Sequence, residues 1–259
     1  MIKIFVSTFN KPIMNVEYSI AIEVGAKNRT EFIYDLRDDS GNNISSENCY
    51  FGELTGLYWI WKNIDFNDDD YVGFCHYNKC LDLKKKDYRE IADCKEDMWY
   101  VTPPFENRDH PIQEEIDALV KILSSDYPEY YKVWEKMYNK DGSGKGAICY
   151  GANIFLTSYK EFTQYCEFLF DVLFKLRKVI GEGSDIPNLK RYCAFMAERL
   201  LSVYLVTNGS KIKVIKMKNS QWYLPYAKKI ASILHISKES KIYKILKEKF
   251  GYRSSYGRK

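Results

Sequence analysis

His76 stands in G-F-C-H-Y-N-K, where an apolar run gives way to polar residues. An imidazole there can contact a phosphate or a metal, because sites in open α/β sheets gather at the carboxyl ends of strands. The same place also suits a histidine bonded to backbone. Glu182 and Asp185 lie in GEGSDIPN, ahead of an apolar run of helical period. A carboxylate near a helix start stays ionised and can serve as a general base, with Asp185 the first candidate and Glu182 the second. A plain helix cap reads equally from the same residues. Glu198-Arg199 is either a site pair or an ordinary helix-surface pair. Asp68-Asp69-Asp70 has the residue types that hold Mg or Mn, but it precedes its strand, the wrong end for a site, and reads as a solvated turn. Cys149 and Cys193 lack any nucleophile context, and GSGKGA lacks P-loop spacing.

The elements that would position these groups alternate in type. IKIFVST reads as a buried strand with Ser7 and Thr8 at its end, and YVGFCHY as a second strand ending at His76. Between them DLRDDSGNNISSEN reads as a loop too polar to be core, and ELTGLYWIWKNI as a helix with Leu54, Leu57, Tyr58 and Trp61 on one stripe. Residues 113–140 read as two helices around Pro128. AICYGANIFLT reads as a strand and SYKEFTQYCEFLFDVLFKLRKVI as a long helix capped by Ser158. LKRYCAFMAERLLSVYLV follows as a helix and KIKVIKM as a short strand. Strands alternating with helices imply an α/β chain.

Composition narrows the class. The 259 residues are 46% apolar and 29% charged, which excludes a disordered or collagenous chain. No apolar run is long enough to span a bilayer, and the first residues carry no signal-peptide pattern. Seven scattered cysteines without a C-x-x-C pair point to reduced thiols and a cytoplasmic protein. The net charge of +4 is unevenly placed: residues 227–259 hold ten Lys and Arg against two Glu, which leaves residues 1–226 mildly acidic. Basic charge confined to a tail argues against a nucleic-acid partner. Within that tail Ile230, Ile233, Leu234, Ile242, Ile245, Leu246 and Phe250 recur at helical spacing among lysines, a pattern that suits a peripheral location on an anionic membrane surface or packing on a protein body. The expected division is therefore a domain over 1–226 and a basic amphipathic tail over 227–259.

GNNISSENCYFGELTGLYWIWKN, DYVGFCHYNK, YPEY, GANIFLTSYKEFTQYCEFLF and KRYCAFMAERLLSVYL, in that order, resemble the domain-of-unknown-function 4422 family across residues 1–206. The resemblance implies a GT-A-like fold, a Rossmann-type mixed sheet flanked by helices. It also implies a bacterial glycosyltransferase of capsular, exopolysaccharide or O-antigen synthesis. Such an enzyme moves a hexosyl group, galactofuranosyl or galactosyl, from a nucleotide-diphosphate sugar, UDP favoured, to a lipid-linked oligosaccharide. An inactive nucleotide- or carbohydrate-binding module of a polysaccharide assembly complex is the alternative. The resemblance carries over Asn43, Asn48 and Glu53 as donor contacts, Asn153 against the sugar, and Arg191, Glu198 and Arg199 on an R…ER pattern. Donor contacts from Ser7, Thr8, His76 and Tyr77 complete the expected site. Two arginines usually follow His-Tyr in the family, where they stabilise the leaving diphosphate without a metal; Asn78 and Lys79 stand here, and Lys79 keeps only one of those charges. No metal ligands are assigned, and Mn or Mg is the cofactor that would restore the missing charge. A Cys usually precedes the family's Glu, and Gly52 stands here.

Overall fold

The computed structural model describes residues 1–94, 96–104, 112–144, 150, 152–184 and 190–220. Met1–Lys218 cluster as one compact unit and Asn219–Lys259 as a second. The expected amphipathic tail, and the boundary at 226, lie outside the described residues.

Six strands lie side by side in the order β2 (Ser19–Glu23), β1 (Ile2–Thr8), β3 (Tyr71–His76), β6 (Phe155–Ser158), β5 (Met98–Val101) and β7 (Lys211–Val214). Off that path, β4 (Lys79–Leu81) pairs with β3, and β8 (Met217–Asn219) pairs with β4. β1 runs parallel to β2 and β3, β6 runs antiparallel to β3 and β5, and β5 is parallel to β7. This is the expected α/β class with a mixed sheet.

Because successive side chains leave a strand on opposite faces, a strand covered on both sides feeds two cores. Phe5, Val72 and Phe74 enter one of them, and Ile4, Val6, Tyr71 and Cys75 the other. The first core is closed by α1 (Asn48–Phe51), α2 (Leu54–Asn63), α4 (Gln113–Asp126), α5 (Pro128–Met137), α6 (Tyr159–Ile180) and α7 (Tyr192–Thr207). The second receives Tyr88 and Ile91 from α3 (Lys85–Asp93). Among the described residues no helix is long and apolar enough to cross a membrane.

Several local expectations hold. Pro128 opens α5 at a position where its missing N–H costs nothing. Ser158 caps α6, accepting the Glu161 N–H at 3.4 Å. α2 differs from a one-sided amphipathic helix, since every residue from Leu54 to Ile60 is buried. Gly56 explains how it fits: a Cβ there would sit 2.7 Å from Val24 Cγ1, so its absence lets the helix lie flush against the end of β2.

Other expectations are corrected. The strand read over 147–157 is confined to Phe155–Ser158, because Ala152 and Asn153 take left-handed φ values of 66° and 47° and turn the chain first. α7 begins at Tyr192 rather than Leu189, with Arg191 at its N-cap position. The loop read as too polar for core carries a fully buried knot. Asp38 accepts the Gly25 and Ala26 N–H groups at 2.8 and 3.0 Å and the Ser45 hydroxyl at 2.5 Å. A buried carboxylate is tolerated where donors surround it, and three do so here.

Glu115 is a buried carboxylate less well served. Oε2 accepts the Ile112 N–H at 3.1 Å, while Oε1 has no partner, and burial pushes the carboxyl up to about 6. A raised carboxyl means that the folded state binds the extra proton, so stability falls as pH rises from the unfolded value toward 6 and is flat above it. Glu115→Gln is expected to stabilise the protein by about 2 kcal/mol at pH 7 and by much less at pH 4.5, measured by urea denaturation at both.

Candidate functional site

The antiparallel entry of β6 assembles the site. Ser7 pairs with His76 and Thr8 with Glu23, which brings the carboxyl ends of β1, β2 and β3 together. Phe74 pairs with Phe155 at the end of the β3–β6 ladder, and the left-handed turn at Ala152 and Asn153 just ahead of it brings the Ala152 carbonyl to His76. Residues near 76 and 153 in sequence thus meet at one sheet edge.

A cavity of about 380 Å³ opens there, lined by Ser7, Thr8, Phe9, Val24, Asn48, Cys49, Gly52, Glu53, His76, Tyr77, Lys190 and Arg191. Glu53, 8% exposed, follows the left-handed Gly52 and precedes α2. Its Oε2 lies 2.6 Å from Arg191 Nη2, and its Oε1 accepts from Asn153 Nδ2 at 3.4 Å. Burial raises the Glu53 carboxyl, but His76 and Arg191 outweigh that and hold it below the usual carboxylate range. Burial lowers the imidazole of His76, which is only partly offset by Glu53, so the ring is neutral at pH 7. His76 Nε2 lies 2.5 Å from the Ala152 carbonyl. A carbonyl only accepts, so the proton sits on Nε2 and Nδ1 keeps its lone pair.

Several expected contacts are committed to the scaffold. The Ser7 hydroxyl donates to the Cys75 carbonyl at 3.1 Å, and Thr8 closes a turn on Lys11 through bonds of 2.5 and 3.0 Å. Asn48 Nδ2 donates to the Gly52 carbonyl at 2.6 Å and to Thr55 Oγ1 at 3.1 Å, fixing the turn that carries Glu53. Tyr77 and Asn78 form the turn between β3 and β4, where His76 pairs with Lys79. Tyr77 lines the cavity, whereas Asn78 and Lys79 do not.

Besides Asn78 and Lys79, four further expected residues stand away from the cavity, while Asn153 is outside its lining and bonds to Glu53. Asn43 folds back on its own loop, donating to Gly41 and Ser40 carbonyls at 3.0 and 3.4 Å. Arg199 is buried on α7 and donates to the Gly142 and Phe195 carbonyls at 3.0 and 2.9 Å, where it ties the helix to the loop after α5. Glu198, its neighbour on α7, also stands apart from the lining. Glu182, with a side chain 77% exposed, accepts from the Tyr50 hydroxyl and faces Arg177 at 3.7 Å. Asp185 lies outside the described residues, as do Cys149 and residues 186–189. Asp70 accepts the Asn67 N–H at 3.0 Å, which agrees with a turn, but its carboxylate is buried rather than solvated.

Sequence reading passed over Phe9, Val24, Cys49 and Lys190. Phe9 is the most telling of them, a ring 51% exposed on the cavity wall. The Arg29 guanidinium lies 4.2 Å from its centroid and is itself held by Glu23 at 2.8 Å. The available signal was an aromatic residue directly after a strand-end Ser-Thr, in the first polar turn.

Mn or Mg would need several oxygen ligands. Among the described residues no group of three or more His, Cys, Asp or Glu is arranged to hold a metal ion. The cavity's described lining offers one carboxylate, already paired with Arg191, and an imidazole whose protonated nitrogen meets a carbonyl. That lining does not fit a divalent cation.

A family model described as a domain of unknown function (DUF4422) matches residues 3–102 and 105–209. The apo structure of WbbM, a bifunctional glycosyltransferase, has a similar fold, with a TM-score of 0.68 at 23% identity. The match covers 84% of this chain but 45% of the WbbM chain, so this chain corresponds to less than half of that protein. No curated protein sequence matches.

Proposed function

The chain belongs to the DUF4422 family, and on that premise we propose that it is a glycosyltransferase that takes a hexosyl group from a nucleotide-diphosphate sugar, UDP favoured, and passes it to a lipid-linked oligosaccharide of a cell-surface polysaccharide. The observation that carries this reading is the cavity at the carboxyl ends of β1 and β3, with one exposed ring and two adjacent cations on its wall. The fold shared with WbbM is consistent with it. Phe9 offers a face on which a base stacks, Lys190 and Arg191 offer charge to a diphosphate, and His76 and Glu53, the latter backed by buried Asn153, mark the inner edge where a sugar would lie. Counter-charge for the leaving group comes from Lys190 and Arg191, since Asn78 and Lys79, which stand where the family has its pair of arginines, do not line the cavity.

Titration calorimetry with UDP, other nucleoside diphosphates and inorganic pyrophosphate tests the reading, followed by assays of donor-sugar hydrolysis and transfer. Phe9→Ala is expected to weaken UDP roughly tenfold and leave pyrophosphate unchanged, since stacking on a base is worth about 1–3 kcal/mol. His76→Ala is expected to cut transfer at least tenfold with little change in melting temperature. Binding without hydrolysis or transfer to any acceptor would favour the inactive module instead.

A further inference from the structure

We propose that Glu53 is the group that accepts the proton of the incoming acceptor hydroxyl, and that it becomes available when the donor's diphosphate draws Arg191 away from it. The inference rests on the transferase reading above and adds a catalytic residue to it. Glu53 is the one carboxylate among the described residues lining the cavity. Neither exposed Glu182 nor buried Arg199 with its neighbour Glu198 reaches that lining.

Arg191 is built to move between two anions. Its side chain is 46% exposed at the start of α7, and one nitrogen, Nη2, holds Glu53 Oε2 at 2.6 Å. A diphosphate entering beside Lys190 and Arg191 competes for that guanidinium with more oxygens and more charge than one carboxylate carries. Once Arg191 turns to the phosphates, Glu53 keeps Asn153, its own backbone N–H and His76 as close partners. His76, whose ring burial makes harder to protonate, is then the remaining group that lowers Glu53, and the share that Arg191 contributed is lost. With the Arg191 counter-charge gone, the affinity of buried Glu53 for a proton rises at the moment the donor is in place.

Asn153 supplies a second, independent sign. Its side chain is fully buried, its Nδ2 donates to Glu53 at 3.4 Å, and its Oδ1 has no partner. A buried carbonyl oxygen beside a carboxylate is an acceptor without a donor, which costs free energy as it stands. Protonated Glu53 is the donor that this oxygen lacks once the amide turns over. The groups facing Glu53 are therefore Arg191 and Lys190 from the start of α7, His76 from β3, with Lys79 acting on His76 from β4, and Asn153 ahead of β6.

The step balances without oxidant or reductant. The acceptor oxygen bonds to the anomeric carbon, the bond from that carbon to the diphosphate breaks with its electron pair leaving on the diphosphate, and the hydroxyl proton passes to Glu53. A single displacement of this kind inverts the anomeric centre.

Calorimetry of UDP and of inorganic pyrophosphate at pH 6.5, in buffers of different ionisation enthalpy, counts the protons bound with each ligand. The native protein is expected to take up more protons per ligand than Glu53→Gln, and His76→Asn is expected to keep that excess. Glu53→Gln should bind UDP within about threefold of the native protein yet lose transfer by roughly 10²–10⁴. Arg191→Gln, in which Glu53 has no counter-charge to lose, should also lack the excess, which covers the case of a poorly folded Glu53 variant. UDP binding with equal proton counts in native protein and Glu53→Gln would overturn the role of Glu53 while leaving the transferase reading in place. Pyrophosphate binding with the excess, but no binding of any nucleoside diphosphate, would overturn the transferase reading and support only the exchange of Arg191.

Discussion

Gly52→Ala is expected to destabilise the protein by about 2–4 kcal/mol and to weaken pyrophosphate binding at least tenfold. Gly52 sits at φ 55°, ψ −132°, a region that an L side chain rarely enters and that costs on the order of 1–3 kcal/mol when forced. A Cβ there would also stand 2.5 Å from Arg191 Nη2 and 2.9 Å from Nε. The guanidinium must give way, and the contact with Glu53 at 2.6 Å goes with it. Gly181→Ala is the control, because φ is 65° there and a Cβ would meet nothing within 4 Å. Both variants strain the backbone, but only Gly52→Ala displaces Arg191. Urea denaturation and pyrophosphate titration of the pair check this: equal losses in both variants would show that Arg191 does not depend on the bare backbone of Gly52.

Glu23→Ala is expected to cost about 3–5 kcal/mol, because it strands a buried cation. Glu23 is fully buried at the end of β2, where it accepts the Asn10 and Ile33 N–H groups at 2.9 Å each and Arg29 Nη2 at 2.8 Å. Arg29 lies over the Phe9 and Phe32 rings at 4.2 and 5.2 Å, and its Nε and Nη1 are buried without partners. Burial pushes the Glu23 carboxyl up, but Arg29 and the two backbone donors outweigh it and hold the carboxyl below its ordinary value. A depressed carboxyl contributes stability that is complete above the unfolded value and is lost as pH falls through the folded one. The gap between native protein and Glu23→Ala should therefore narrow in acid, in denaturation curves at pH 7 and pH 3. Glu23→Ala combined with Arg29→Met should recover a good part of the loss, since no unpaired charge remains. Phe9 would still lose its backing, so the double variant should bind UDP more weakly than the native protein.

The alternation of apolar strands and helices in the linear sequence determined the α/β class, because the periods of two and near 3.6 residues are properties of the chain itself. Pro128 and Ser158 likewise marked helix starts that the structure keeps. Short or polar elements escaped that reading: SIAIE in β2 and MWYV in β5 carry too few residues to show a period, and α3 is mostly charged. His76 and Glu53 were recognisable as chemistry-bearing residues, one from its strand end and one from a family resemblance. Their partnership was not, since Arg191 and Asn153 reach them across 138 and 100 residues of chain. The left-handed turn at Ala152 and Asn153 decided which carbonyl meets His76 and which asparagine meets Glu53, and the left-handed turn at Gly52 decided which arginine covers Glu53. The same holds for polar residues read as surface: Asp38 and Arg199 are buried because backbone groups distant in sequence supply their partners. Spacing along a chain records what one element does with its own face, whereas the burial and charge of an ionisable group depend on which other segments close around it, and only the folded sheet brings those segments together.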